Sequence, residues 1–336
     1  MEGRLDAPVS PAVGFANTTS WAALRMENGM TAGKVCVIGS FMMDLVAEAP
    51  RRPQPGETLR GTAFRCTPGG KGYNQAIAAA RAGAQTALLG SLGDDDFARS
   101  FQATFAAEGI DASGVRLAAD QGTGVGLPVV EPGGQNSIII IPRANLTWTL
   151  DQVQANASAI EAADVVLAQF EVPLECVTEA ARIANDAGTL VVVNPAPFAP
   201  VPKQLFAHSD LMVLNETELR DLCQAADGSL AALYALAAGA ACEKCLDLVV
   251  TLGPRGALIA WKDGSLTEVP ARKADAVDTV GAGDVFCGNL GTALARGESL
   301  ISAVELANAA ASISVTRPGG GCSAPTLDET LALLAE

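Results

Sequence analysis

The stretches Thr189-Leu-Val-Val-Val-Asn194 (TLVVVN) and Asp247-Leu-Val-Val-Thr-Leu252 (DLVVTL) decide the fold. A strand with one face in water alternates polar and apolar residues, whereas an unbroken apolar run needs cover on both faces. The Ala-rich segments of helical period between such runs supply that cover. Working outward, strands are expected at 34–39, 86–91, 137–142, 164–170, 189–194, 211–214, 247–252 and 256–261. Helices are expected near 72–83, 94–108, 150–162, 174–187, 216–225, 228–241, 282–296, 300–316 and 327–335. Alternating βα units of this kind make an α/β fold with a doubly wound, largely parallel sheet.

Two stretches break the rhythm. Residues 45–66 and 113–141 alternate polar and apolar side chains with Pro and Gly punctuation, the pattern of short antiparallel strands projecting from a main sheet. Such an appendage would stand near the C-terminal strand ends, where open α/β sheets bind ligands, and would serve there as a lid.

The 336-residue chain is 49% hydrophobic and only 18% charged, which suits a well-buried core in one large domain or two smaller ones. Its net charge of −15 argues against nucleic acid or an anionic membrane as the main partner, but not against a small anionic substrate. No apolar run is long enough to span a bilayer. The eight cysteines stand singly except for Cys242 and Cys245, and His208 is not spaced to complete a zinc site with them. Free thiols without an export signal fit a reducing cytoplasm. Residues 1–33 are rich in Ala, Gly, Ser, Thr and Pro and are expected to form a disordered extension before a 34–336 domain, with Met26 or Met30 as plausible alternative starts.

The common phosphate loops are absent. GMTAGKV (29–35) and GGKGYNQ (69–75) lack the spacing or hydroxyl of a P-loop, and no GxGxxG follows the first strand. DTVGAGDVFCG (278–288) is more informative. Gly281, Ala282 and Gly283 precede a small-residue helix, so free N–H groups and the helix dipole can converge on an anion. Asp284 stands at the edge of that anion hole, placed either to accept a hydroxyl proton during phosphoryl transfer or to cap the helix. NETE (215–218) puts Asn215 and Glu218 at a strand end, as phosphate and Mg²⁺ contacts or as a capping box. TLGPRG (251–256) closes another strand with a tight turn able to approach nucleotide phosphates. On the acceptor side, PGGKGYNQA (68–76) offers Gly70, Lys71 and Asn74, QFE (169–171) offers Glu171, and GSFMMD (39–44) ends in Asp44.

These motifs, with LAQFEVPLE, VVNPAP and SVTRPGGGCSAP, resemble the ribokinase branch of the PfkB carbohydrate kinase family over about residues 34–330. The resemblance implies a Rossmann-like domain with a β-sheet lid that also clasps a homodimer, and ATP-dependent transfer to the 5-hydroxyl of a pentose. It implies Asp284 as base, with Gly281, Ala282 and Gly283 as its anion hole. Asn215, Thr251, Gly253, Gly256 and Asn308 would hold ATP, and Glu218 would organise Mg²⁺. Asp44, Gly70, Lys71, Asn74 and Glu171 would hold the sugar. A K⁺ loop would comprise Asp278, Val280, Ser314, Arg317, Gly319 and Ser323, mostly through backbone carbonyls.

One departure stands out. Members of this branch typically read GSxNxD, and Met42 takes the place of the Asn that reaches a sugar hydroxyl. An apolar wall loses nothing when a hydroxyl is missing, whereas a polar group left unpaired does. Met42 therefore fits 2-deoxy-D-ribose and resembles the deoxyribokinase subgroup. In the competing readings Met42 fills space in a ribokinase, or the chain is a nucleoside kinase of the same fold or a non-catalytic sugar-binding regulator.

Overall fold

The structure, a computed structural model, describes residues 32–132, 135–226 and 228–336, so the expected extension lies almost entirely outside the described residues. The strands are β1 (Lys34–Ile38), β2 (Met42–Glu48), β3 (Ala63–Gly69), β4 (Gln85–Gly93), β5 (Val115–Ala118), β6 (Gly124–Val130) and β7 (Asn136–Ile141). They continue as β8 (Val165–Gln169), β9 (Leu190–Asn194), β10 (Leu211–Asn215), β11 (Asp247–Thr251), β12 (Ala257–Ala260) and β13 (Leu266–Val269). Among the described residues the large sheet has the order β13-β12-β11-β10-β9-β8-β1-β4-β5. It is parallel except for the β11–β12–β13 meander at one edge.

The helices are α1 (Lys71–Arg81), α2 (Asp96–Glu108), α3 (Leu150–Ala155), α4 (Ala157–Glu161), α5 (Leu174–Ala187) and α6 (Lys203–Ala207). After them come α7 (Glu216–Cys223), α8 (Leu230–Lys244), α9 (Ala282–Ala295), α10 (Leu300–Ser314) and α11 (Leu327–Ala335). The unbroken apolar strands are covered on both faces. Val35, Val37, Leu167 and Val192 enter one core cluster, while Cys36, Ile38, Val191 and Val193 enter the other. This is the two-residue period of a strand acting on a doubly covered sheet.

The helix expected over 150–162 is divided at Asn156, whose Nδ2 turns back to the Gln152 carbonyl. The two irregular stretches also differ in part from expectation. Residues 42–48 and 63–69 do pair antiparallel and join β6 and β7 in a smaller sheet, β3-β2-β6-β7. Its central pair β2–β6 is parallel, however, and β5 leaves the appendage to extend the large sheet beside β4. Local alternation marks a strand but carries no information on the direction of its partner.

Candidate active site

Because β8, β9, β10 and β11 run parallel, their C-terminal residues emerge along one edge. Gln169 pairs with Asn194, and Asn215 with Thr251. A cavity of about 200 Å³ opens there, walled by Lys71, Asn194, Asn215, Glu218, Thr251, Gly281, Gly283, Asp284 and Cys287 among others.

Backbone contact between glycines brings the sheet and α1 together. A Cβ on Gly39, just after β1, would lie 2.4 Å from the Gly72 Cα, and one on Gly72 would lie 2.5 Å from the Gly39 Cα. Gly70 enters α1 with φ 96°, a conformation side chains disfavour. This crossing aims the first turn of α1, with Lys71, Asn74 and Gln75, at the start of α9.

Asp284 lies in the first turn of α9, which follows Gly281 at φ 76°. It does not cap its helix. Its Oδ2 accepts from Asn74 Nδ2 at 2.9 Å and its Oδ1 from Gln75 Nε2 at 3.2 Å. Gly281 and Gly283 face the cavity, whereas the Ala282 N–H turns back to the Thr279 carbonyl at 3.3 Å. Burial works to lower the pKa of Lys71, but the carboxylates of Asp284, Glu171 and Glu218 outweigh it and hold the ammonium above its usual range.

Asn215 and Glu218 form the capping box of α7, with Asn215 Oδ1 accepting from Glu218 N and Glu218 Oε2 accepting from Asn215 N, both at 2.8 Å. Both residues nevertheless wall the cavity, so capping fixes them in place while leaving the Asn215 amide N–H₂ and the second Glu218 oxygen for other partners. Burial pushes the Glu218 carboxyl upward in pKa. Thr251 reaches the cavity, while Gly253 starts a tight turn and Gly256 backs against Val269 to Ala271. Asn308 does not line this cavity; its Nδ2 donates to the Val269 carbonyl at 2.9 Å.

On the other side of Lys71, Glu171 Oε2 accepts from the Lys71 N–H at 2.9 Å and from the Ser40 hydroxyl. Asp44 fits between Gly69 and Gly126, where a Cβ on either glycine would strike its carboxylate. Burial, and then Glu171, pushes the Asp44 pKa up to about 6. Met42 shares the face of β2 with Asp44 and is 2% exposed, its Sδ 3.7 Å from Asn145 Nδ2. Asn145 also clasps the backbone of Phe41, accepting from its N–H and donating to its carbonyl, both at 2.8 Å.

The loops around Asp278 and Gly319 meet, with Asp278 Oδ1 accepting from Val280 N and Oδ2 from Gly319 N, both at 3.0 Å. Ser314 Oγ donates to the Ala311 carbonyl, Ser323 Oγ to the Gly320 carbonyl, and Arg317 pairs with Glu329 at 2.6 Å. The Cys242–Cys245 pair is exposed and its thiols are free. Sequence reasoning missed Gln75, Gln169, Asn194, Ser40 and Cys287. Gln75 follows Asn74 within a quoted motif, and Gln169 and Asn194 end buried strands, the position that marks the other site residues.

The pattern of residues 32–327 matches the family model described as pfkB family carbohydrate kinase. The chain belongs to that family. This carbohydrate kinase is 36% identical over 301 residues to the ribokinase of Haemophilus influenzae, covering 89% of this chain and 97% of the relative. It is 33% identical over 296 residues to the deoxyribokinase of Salmonella typhi, covering 88% and 96%. Among solved structures, Arabidopsis thaliana ribokinase complexed with ribose and ATP superposes with a TM-score of 0.83 at 29% identity, covering 91% of this kinase and all of that chain.

Proposed function

We propose that this kinase transfers the γ-phosphoryl group of ATP to the 5-hydroxyl of a pentose and prefers 2-deoxy-D-ribose to D-ribose. The observation that carries the transfer is the buried Asp284 carboxylate, gripped by Asn74 and Gln75, at the glycine-led start of α9 in a cavity shared with Lys71. Asp284 takes the hydroxyl proton as the O–P bond forms and the bond to the ADP leaving group breaks. Lys71 and the turn at Gly281 and Gly283 face the phosphoryl oxygens. Asp44 and Glu171 accept hydrogen bonds from the other sugar hydroxyls. Asn215 and Thr251 lie along the cavity wall where the nucleotide phosphates would extend, and the small sheet acts as the lid that excludes water.

Among the described residues no cluster of His, Cys, Asp and Glu could hold a metal unaided. Mg²⁺ still fits as an ion brought by the phosphates, because it commonly takes one or two carboxylates and completes its shell with water and phosphate. The cavity-facing Glu218 is the carboxylate suited to it, and the ion would neutralise phosphate charge. For K⁺, the carboxylate of Asp278 braces the two loops whose carbonyls would supply the ligands. A homodimer is supported by the small sheet, where Phe64 and Ile139 are 67% and 65% exposed and β7 is an open edge.

The sugar preference rests on Met42. Its thioether lies on the Asp44 face of β2 and is packed against Asn145 and Gly124, so it offers the sugar no hydrogen-bond donor. The test is kcat/KM for both sugars with ATP, Mg²⁺ and K⁺, on wild type, Met42→Asn and Asp284→Asn. Wild type is expected to favour 2-deoxy-D-ribose, and Met42→Asn to move the ratio toward D-ribose by about tenfold or more. Preference for D-ribose in both proteins would refute the deoxyribose reading. Near-normal turnover by Asp284→Asn would refute the assignment of the base.

A further inference from the structure

The grip on Asp284 extends beyond the two residues that touch it. A carboxylate can only accept hydrogen bonds, so Gln75 must present its Nε2 to Asp284. Its Oε1 then faces the other way and needs a donor, which Gln169 Nε2 supplies at 2.6 Å. Gln75 Nε2 also approaches Asn194 Oδ1 at 3.4 Å, and that amide is oriented in turn by its Nδ2 donating to the Val213 carbonyl at 3.0 Å. On the opposite side the Gly321 N–H, which cannot reverse its polarity, donates to Asn74 Oδ1 at 2.8 Å and so turns Asn74 Nδ2 toward Asp284.

Gln75 and Gln169 are 1% and 0% exposed, so water cannot take over for a missing partner. Gln169 leaves its own Oε1 buried without a partner, close against Gly39. A buried acceptor left unpaired works against folding, and such groups need an explanation beyond stability. Here the same side chain directs a donor at Gln75.

We propose that Gln75 and Gln169 are positioning residues for phosphoryl transfer, a relay of side-chain amides that fixes the rotation of the Asp284 carboxylate toward the acceptor hydroxyl. The inference rests on the reading of Asp284 as the base. Without Gln169, the Gln75 Oε1 is left buried and unpaired, so Gln75 shifts to find another donor and loosens its hold on Asp284, which lets the carboxylate rotate out of line. Substrate binding would be largely untouched, since both glutamine side chains are buried and direct their hydrogen bonds to Asp284, Asn194 and each other rather than to the cavity.

The test is steady-state kinetics on the full chain, using whichever of the two pentoses wild type turns over faster. The proteins compared are wild type, Gln75→Met, Gln169→Met, the double variant and Asp284→Asn. Gln75→Met is expected to lower kcat by about ten- to a hundredfold, the scale of an ångström-level misplacement of a reacting group, with both KM values within about twofold. Gln169→Met should lower kcat by about tenfold while melting no earlier than Gln75→Met. The double variant should be no slower than Gln75→Met alone, because Gln169 acts through Gln75. If Gln75→Met does not fold, Gln169→Met carries the test, since it keeps the Gln75 side chain and removes only the donor that orients it. The relay is overturned if the single variants keep kcat within about twofold of wild type, if the losses appear in KM, or if they multiply in the double variant. Turnover retained by Asp284→Asn overturns the base assignment itself, whereas an inactive Asp284→Asn beside normal glutamine variants overturns only the relay.

Discussion

Adding one methyl group at Gly288 tests how strictly the site depends on the packing of α1 against α9. Gly288 lies one helical turn beyond Asp284, where a Cβ would stand 2.6 Å from both the Ala78 Cβ and the Gln75 carbonyl oxygen. Ordinary contact begins near 3.4 Å, so Gly288→Ala must part the helices by about 0.8 Å. Overpacking of this kind typically costs about 1–3 kcal/mol. The same shift would stretch the 2.9 Å bond from Asn74 to Asp284 and the 3.2 Å bond from Gln75 beyond useful length. We expect an earlier thermal unfolding transition and a kcat lowered by about tenfold or more, with KM for ATP changed far less. Gly239→Ala in α8 is the matched control, since a Cβ there meets nothing within 4 Å and should stabilise the helix by about 0.5–1 kcal/mol. A Gly288→Ala enzyme with wild-type kcat and melting would refute the argument that close backbone approach aligns the base.

The remaining predictions concern pH and assembly. Asp44 is raised from 3.8 to about 6, so it loses its charge below that pH, and kcat/KM for the sugar should fall as pH drops through about 6 in a way that Asp44→Asn does not reproduce. Its effect on stability has the opposite sign: the folded state binds the proton more tightly, so the contribution is full below about pH 4 and lost as pH rises through 6, and melting followed from pH 4 to 7 should show a shallower decline in Asp44→Asn. Ile139→Glu should convert a dimer to monomer by light scattering, and a wild type that is monomeric at high concentration would refute the clasp.

The sequence determined the layers of this fold because unbroken apolar runs such as TLVVVN require cover on both faces and have no other stable arrangement. It also marked the polar strand ends at Asn215 and Thr251 as candidate site positions, and both wall the cavity. Family resemblance implied one site for Asp284, Asn74 and Glu218; Asp284 and Glu218 wall one cavity and Asn74 is bonded to Asp284. Only the tertiary structure decided the direction of β2 against β6, because alternation is the same for parallel and antiparallel partners. It alone showed that Asn308 bonds the 269–270 backbone, and that the capping box of α7 also walls the cavity. The contact of Gln75 with Asp284 spans 209 residues of sequence and that of Gln169 with Gln75 spans 94. Such polar contacts depend on where two helices and a strand end meet in space, and no local periodicity records that meeting.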